Sequence, residues 1–261
     1  MNNKNQSVIL IVSSGTSNKK ARKNNIEVLE NRISEKFPGY SVRRAFTSYK
    51  IINKIKIEEG IDIDCPREAL EKLVKEGTTQ VVIQPLHIIP GSEYQKLLKE
   101  VEAYKGKFKE IVVGTPLLYE EDDYLLVIKA LKKSLPEITE KQAVVMVGHG
   151  SSHEAQRCYL TLQNYLDKAL FKGYVGTISG EPGILYVIEL LKKKEIKEVV
   201  LMPFMLVAGN HAIVDIVSEK ENSWKSMLIE QWFQVESYLK GLGELKEIQD
   251  IYINKIEDIM P

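Results

Sequence analysis

Eight short runs of β-branched and apolar residues punctuate this 261-residue chain, and longer stretches of helical periodicity separate them. The runs are Val8–Val12, Tyr40–Ala45, Gln80–Gln84, Glu110–Val113, Ala143–Val147, Tyr174–Ile178, Glu198–Leu201 and Gln234–Glu236. Between them, Pro66–Lys75 is representative: Ala69, Leu70, Leu73 and Val74 recur at helical intervals, and Pro66 suits a first helical turn, where an N–H would be unpaired anyway. Strands that are largely apolar rather than alternating must be covered on both faces, which is the pattern of parallel βαβ units. An α/β fold with parallel sheets is therefore predicted.

The two halves also repeat each other. Ile11-Val-Ser-Ser-Gly15-Thr-Ser-Asn18 aligns with Met146-Val-Gly-His-Gly150-Ser-Ser-His153, and Gln84-Pro-Leu-His87-Ile-Ile-Pro-Gly91 aligns with Met202-Pro-Phe-Met-Leu-Val-Ala-Gly209. Each half opens on a strand, a glycine turn and a hydroxyl-rich helix start, and later has a strand that ends in proline and runs apolar to a glycine. Two matches in the same order point to an internal duplication. The expectation is two similar Rossmann-like lobes with parallel sheets facing across a cleft, residues 1–135 and 141–261. The boundary is placed at Leu135–Lys141, where Pro136 and charged residues interrupt the pattern.

Thirty-six basic and thirty-six acidic side chains cancel and are dispersed along the helical stretches. No basic face is visible, so neither nucleic acid nor an anionic membrane is an expected partner. The two cysteines, Cys65 and Cys158, are far apart and lack a CxxC partner, which disfavours a disulfide framework or a thiolate zinc site. The first apolar run, Val8 to Val12, is too short for a signal-peptide core or a membrane span. A soluble protein of the reducing cytoplasm is expected.

Histidine is scarce, four in the whole chain, and concentrated in short stretches where strands are expected to end. In α/β sheets that is where ligands bind, and imidazole both titrates near neutrality and ligates metals. In Gly148-His149-Gly150-Ser151-Ser152 the flanking glycines allow a sharp turn, the serines can cap the next helix, and His149 is presented outward. An imidazole satisfied by its own backbone is the competing reading. His153 lies in the first helical turn, where a solvated surface residue is the commoner outcome. In Val207-Ala-Gly209-Asn210-His211 the small residues permit close approach by a ligand, and Asn210 can cap a helix on which His211 and Asp215 share a face. Asp215 would orient the imidazole or make a surface contact. Between these lies Thr177-Ile-Ser179-Gly-Glu181-Pro182-Gly183, an irregular loop in which Ser179 and Glu181 face the same way if the chain stays extended. Glu181 also suits the residues just before a helix, favoured there by the dipole. Two histidines and a carboxylate with open positions suit a divalent first-row metal that must be released, rather than a closed structural zinc site.

Taken together, Ser14-Gly-Thr-Ser17, Ala45-Phe-Thr-Ser48, Pro85-Leu-His87-Ile-Ile-Pro-Gly91-Ser-Glu-Tyr94, Gly148-His-Gly150, Gly176-Thr177 with Pro182, and Pro203-Phe-Met-Leu-Val-Ala-Gly209-Asn-His-Ala212 resemble the class II tetrapyrrole chelatases. Within that class the resemblance is specifically to the anaerobic sirohydrochlorin cobaltochelatase of cobalamin biosynthesis, over nearly the whole chain. It implies the chelatase pair of lobes as the fold, and insertion of divalent cobalt into sirohydrochlorin, with release of two protons, as the activity. It also implies roles for single residues: His149 matches the family's metal ligand and proton acceptor, and His211 its second metal histidine. The family's third ligand is a glutamate in a Gly-Thr-Val-Glu-Gly pattern, where this chain has Gly176-Thr-Ile-Ser179-Gly180. Serine is a poor ligand for a divalent cation, so the expectation is either that Glu181, two residues on, supplies the carboxylate or that Ser179 leaves a two-histidine site completed by water or substrate.

Substrate contacts are expected from Ser14, Gly15, Thr16, His87 and Gly91 in the first half and from Gly150, Ser151 and Gly209 in the second. Backbone N–H groups and hydroxyls at helix starts suit the substrate's carboxylates. No permanently bound cofactor is expected; the metal is a substrate, cobalt first, with iron, nickel and zinc as further candidates. The partners are the tetrapyrrole and the metal ion, and a homo-oligomer is left open. Iron insertion giving sirohaem, and a non-catalytic tetrapyrrole- or metal-binding protein of the same fold, stay open on the sequence alone.

Overall fold

A computed structural model describes residues 6–209 and 212–261. The first part of the chain runs β1 (Ser7–Ser13), α1 (Lys19–Arg22), a π-turn, α2 (Val28–Lys36), β2 (Ser41–Phe46), α3 (Tyr49–Glu59), α4 (Pro66–Lys75), β3 (Gln80–Pro85), α5 (Ser92–Glu102) and β4 (Glu110–Val113). The second runs α6 (Glu121–Ser134), β5 (Gln142–Gly150), α7 (Arg157–Lys168), β6 (Gly173–Ser179), α8 (Ile184–Lys193), β7 (Glu198–Pro203), a π-helix (Ala212–Val217), α9 (Trp224–Glu230), β8 (Gln234–Ser237) and α10 (Lys246–Asp258). All eight predicted strands are present, and the helix predicted at Pro66–Lys75 forms with those bounds.

Each unit holds one four-stranded parallel sheet, with strand order β2-β1-β3-β4 in the first and β6-β5-β7-β8 in the second. The chain leaves β1 to one side and returns to the other, so the topological switch point lies between the carboxyl ends of β1 and β3, and likewise of β5 and β7. The central strands β1, β3, β5 and β7 are buried on both faces, and the edge strands are partly exposed. Leu10, Val81 and Ile83 pack against Leu70, Leu73 and Leu97 in the first. Val145, Val199 and Leu201 pack against Val187, Leu191 and Trp224 in the second.

The repeat seen in the sequence extends to single hydrogen bonds. Ile11 pairs with Gln84 and Met146 with Met202, the same residues that the repeat aligns. Leu86 N–H donates to Val12 and Phe204 N–H to Val147, each at 2.7 Å; Leu117 N–H donates to His87 and Leu242 N–H to Met205. Gly15 and Gly150 both turn with positive φ, +81° and +83°.

The compact units are residues 1–119 with 249–261, and residues 120–248. This differs from the expected division at Leu135–Lys141, for a packing reason at each end. The Tyr124 ring of α6 stacks on Tyr165 of α7, 5.2 Å between centroids, which draws α6 to the second unit. At the other end the fully buried Tyr252 bonds the Leu86 and His87 carbonyls, Lys255 reaches Thr115, and Arg32 pairs with Asp250. Helix α9 stops at Glu230, and Leu242–Glu244 is a separate 3-10 turn before α10. Among the described residues no helix is long and apolar enough to cross a membrane.

Candidate functional site

In the second unit the carboxyl end of β5 carries the Gly148-His149-Gly150 turn. Gly148 lies flat on a buried tyrosine: a Cβ there would sit 2.8 Å from the ring carbon bearing the hydroxyl of Tyr159 and 2.9 Å from its oxygen. Gly150 faces the end of β6, where a Cβ would be 2.8 Å from the Ser179 carbonyl carbon and would overlap its oxygen. Burial pushes the Tyr159 phenol up to about 12, partly opposed by the neighbouring Gly150 backbone. Between these two contacts the His149 side chain is exposed, with Nδ1 3.3 Å from the Gly150 carbonyl. A carbonyl oxygen only accepts, so in the neutral imidazole this contact favours the tautomer with the proton on Nδ1 and the lone pair on Nε2. The local backbone contact and the outward presentation thus occur together.

The expected capping by Ser151 and Ser152 is corrected. His153 is the cap, its Nδ1 accepting from Ala155 N–H at 3.1 Å, and Ser151 Oγ accepts from His153 N–H. In the first unit Asn18 takes the same role rather than Ser14–Ser17, accepting from Ala21 N–H. His153 is therefore spent on the backbone.

The strand β6 ends at Ser179, and Gly180 turns with φ +83° before a cis Glu181–Pro182 bond. The chain does not stay extended from Ser179 to Glu181, so the alternation that would face them alike is lost. Both side chains are exposed, and Glu181 Oε2 accepts from Gly183 N–H at 2.9 Å, just before α8. Thr177 is buried, with its N–H on the Pro182 carbonyl. A pocket of about 410 Å³ opens beside this loop, lined by Thr177, Glu181, Tyr186, Asp215, Trp224 and Met227. Asp215 belongs to the π-helix rather than to an α-helix. Gly209, half-buried, gives its N–H to Val207. His211 and its neighbour Asn210 lie outside the described residues. Among the described residues no three His, Cys, Asp or Glu side chains converge on one point.

The first unit has a different polar cluster at its own switch point. Glu93 accepts on one oxygen from Ser14 Oγ at 2.5 Å and from Thr47 Oγ1 at 2.7 Å, and His87 Nε2 lies 3.4 Å away. Burial raises the Glu93 pKa, but the contacts from His87, Ser14 and Thr47 outweigh it and hold the carboxyl at about 2. The 3.4 Å contact is an ion-pair distance rather than a made hydrogen bond, and among the described residues neither ring nitrogen of the 9% exposed His87 has a hydrogen-bond partner. Ser14 Oγ thus donates its hydrogen bond to the Glu93 carboxylate. Thr16 is buried and accepts from Asn18 N–H, Gly15 forms the turn, and Gly91 caps α5.

Glu93, Tyr159 and Gln156 are the participants that sequence reasoning missed. Glu93 stood inside the quoted Gly91-Ser-Glu-Tyr94 string, but its partner Ser14 is 79 residues away. Gln156 has no motif, although its amide joins two loops.

Comparison with known proteins fits this geometry. The Cobalt chelatase (CbiK) family model matches residues 7–261. The chain is 37% identical over 245 residues to the sirohydrochlorin cobaltochelatase of Salmonella typhimurium, covering 94% of this chain and 93% of that protein. It is 32% identical over 251 residues to sirohydrochlorin cobaltochelatase CbiKC of Nitratidesulfovibrio vulgaris, covering 95% and 88%. Among solved structures, SirB from Bacillus subtilis with Fe3+ superposes with a TM-score of 0.61 at 15% identity, covering 97% of this chain and 95% of that one. CbiX, described as the terminal enzyme for siroheme biosynthesis in denitrifying bacteria, gives 0.53 at 16% identity, covering 97% and 100%. These two share the fold. With a family match from residue 7 onward and curated relatives matched over nearly their whole length, the chain belongs to the CbiK cobalt chelatase family.

Proposed function

We propose that this protein inserts divalent cobalt into sirohydrochlorin, with His149 holding the ion during ligand exchange and accepting pyrrolic protons. The observation that carries the reading is the exposed His149 at the carboxyl end of β5, beside the switch point, in a chain 37% identical to a sirohydrochlorin cobaltochelatase. Metal insertion removes two N–H protons from the macrocycle while the hydrated ion sheds water. An imidazole whose Nε2 carries the lone pair suits both tasks.

In this reading His211 is the second metal histidine and Glu181 supplies the carboxylate that Ser179 cannot. The half-open loop and the adjoining pocket with Asp215 leave room for a hydrated cation. Ser14, Gly15, Thr16, His87, Gly91, Gly150, Ser151 and Gly209 form the proposed tetrapyrrole contacts. In the first unit the Glu93 carboxylate changes what such contacts do: a site already carrying an anion favours an N–H or cationic partner over a substrate carboxylate. Cobalt enters as substrate, no resident cofactor takes part, and the reaction is assigned to the cytoplasm.

The test is anaerobic absorbance spectroscopy with sirohydrochlorin and cobalt or iron at limiting enzyme. Many turnovers above the uncatalysed rate, abolished in His149→Ala, support the proposal and rank the metals. Stoichiometric binding without acceleration would refute it in favour of a carrier.

A further inference from the structure

Gln156 ends the 3-10 turn that precedes α7, and its amide makes three contacts across two loops. Oε1 accepts from Ser151 N–H at 2.7 Å. Nε2 donates to the Glu181 carbonyl at 2.7 Å and to Thr177 Oγ1 at 3.0 Å. The orientation of this amide is fixed by its partners, because Ser151 N–H only donates and the Glu181 carbonyl only accepts. Thr177 continues the network, with Oγ1 3.1 Å from the Gly180 carbonyl. One end of the clamp therefore holds the turn that carries His149, and the other holds the Ser179–Gly183 loop.

The repeat supplies an internal control. Asn18 and His153 cap the matching helices 135 positions apart, and the same offset places Ala21 opposite Gln156. In the first unit the equivalent glycine turn carries Ser14 and forms with a methyl group at that position. The fold thus builds the turn without a clamp. The clamp exists where the turn presents an imidazole.

We propose that Gln156 is a positioning residue for metal handling, setting the spacing between His149 and the Ser179–Gly183 loop. The inference rests on the chelatase reading of His149. Ligand atoms must stand within a few tenths of an ångström of their preferred metal distances, so the residue that fixes two ligand-bearing loops acts on the ion rather than on the macrocycle.

The test uses Gln156→Ala and Gln156→Glu beside wild type and His149→Ala. The glutamate keeps the acceptor for Ser151 but loses both donations and sets a carboxylate oxygen against the Glu181 carbonyl. Three quantities are read: kcat and the sirohydrochlorin KM under anaerobic turnover, Co2+ affinity without tetrapyrrole from the visible absorbance of the bound ion, and far-UV circular dichroism. The expected result is a fall of roughly 10- to 100-fold in kcat and in Co2+ affinity, with KM and the folded spectrum unchanged. Wild-type kcat and Co2+ affinity in both folded variants would overturn the proposal. So would a rise in KM with kcat intact, or loss of the folded spectrum in both variants, which would make the residue structural. If wild type bound sirohydrochlorin without turnover, the chelatase reading itself would fail; if His149→Ala turned over like wild type, the role of His149 and the clamp built on it would fail; and if His149→Ala were dead while the Gln156 variants were unaffected, only the clamp would be refuted.

Discussion

Substituting Gly150 by alanine tests the geometry that holds His149 outward. Two costs add at this position. With φ at +83°, any L side chain sits in the left-handed region, at about 1–2 kcal/mol, offset by roughly 0.4–1 kcal/mol because alanine has fewer unfolded conformations to lose. The second cost is steric and specific to this site. Gly150 and Ser179 are the last register pair of β5 and β6, and the new Cβ would overlap the Ser179 carbonyl oxygen, a backbone atom that cannot rotate away. Relieving it means parting two strand ends, an overpacking cost of about 1–3 kcal/mol.

The sum for Gly150→Ala is about 1–5 kcal/mol. Gly180→Ala is the matched control. It has the same φ of +83°, but its Cβ would meet the Gln156 amide at 3.2 Å and the Ser151 carbonyl oxygen at 3.4 Å with no overlap, so it bears the strain with little of the clash, about 1 kcal/mol. Both glycines lie in the second unit, as do both tryptophans, Trp224 buried and Trp232 exposed. Tryptophan fluorescence during urea unfolding therefore reports on the unit that carries the change. Gly150→Ala should shift the midpoint further than Gly180→Ala and suppress chelation by displacing His149. If the two variants agreed within about 0.5 kcal/mol, the close approach of the β5 and β6 ends would be wrong.

Three further outcomes are expected. The Glu93 carboxyl, held at about 2 when folded and in the ordinary range when unfolded, contributes stability that is present above about pH 4.3 and lost as pH falls toward 2. Screening at a side chain 40% exposed limits this to roughly 1 kcal/mol, so calorimetry should show the gap between wild type and Glu93→Gln closing on acidification; a constant gap contradicts the assignment. Ser179→Glu, which restores a carboxylate at the end of β6, should tighten Co2+ binding by about tenfold, or ~1.4 kcal/mol, and Glu181→Ala should weaken it, both measurable by titration. Tyr252→Phe should cost about 1 kcal/mol in denaturant unfolding through the lost bonds to the Leu86 and His87 carbonyls, and no change would count against them.

The strands were legible because a parallel strand covered on both faces needs an unbroken apolar run, and Val8–Val12 or Ala143–Val147 can be little else. The helix Pro66–Lys75 was legible for its proline start and its period. The turn at His149 was visible through its glycines. What escaped was decided by distant partners or by single torsions. The contact of Glu93 with Ser14 joins two loops that only the folded sheet brings near, and nothing in either string announces it. At Gly180 one positive φ cancels the alternation that would have placed Ser179 and Glu181 on one side. The membership of α6 and of residues 249–261 follows from a ring stack and a buried tyrosine, which helical periodicity does not specify.

The allocation of residues 249–261 to the first unit also fixes the order in which the two units can be completed on the ribosome. Tyr252 and Ile256 are wholly buried and Ile253 nearly so, yet they are translated after every residue of the second unit. Until they emerge, the earlier-made unit exposes the apolar surface they later cover, while residues 120–248 already have everything they need to fold. Nascent chains of multi-unit proteins generally fold from the amino terminus onward. Here that order is inverted: the half made first is the half finished last.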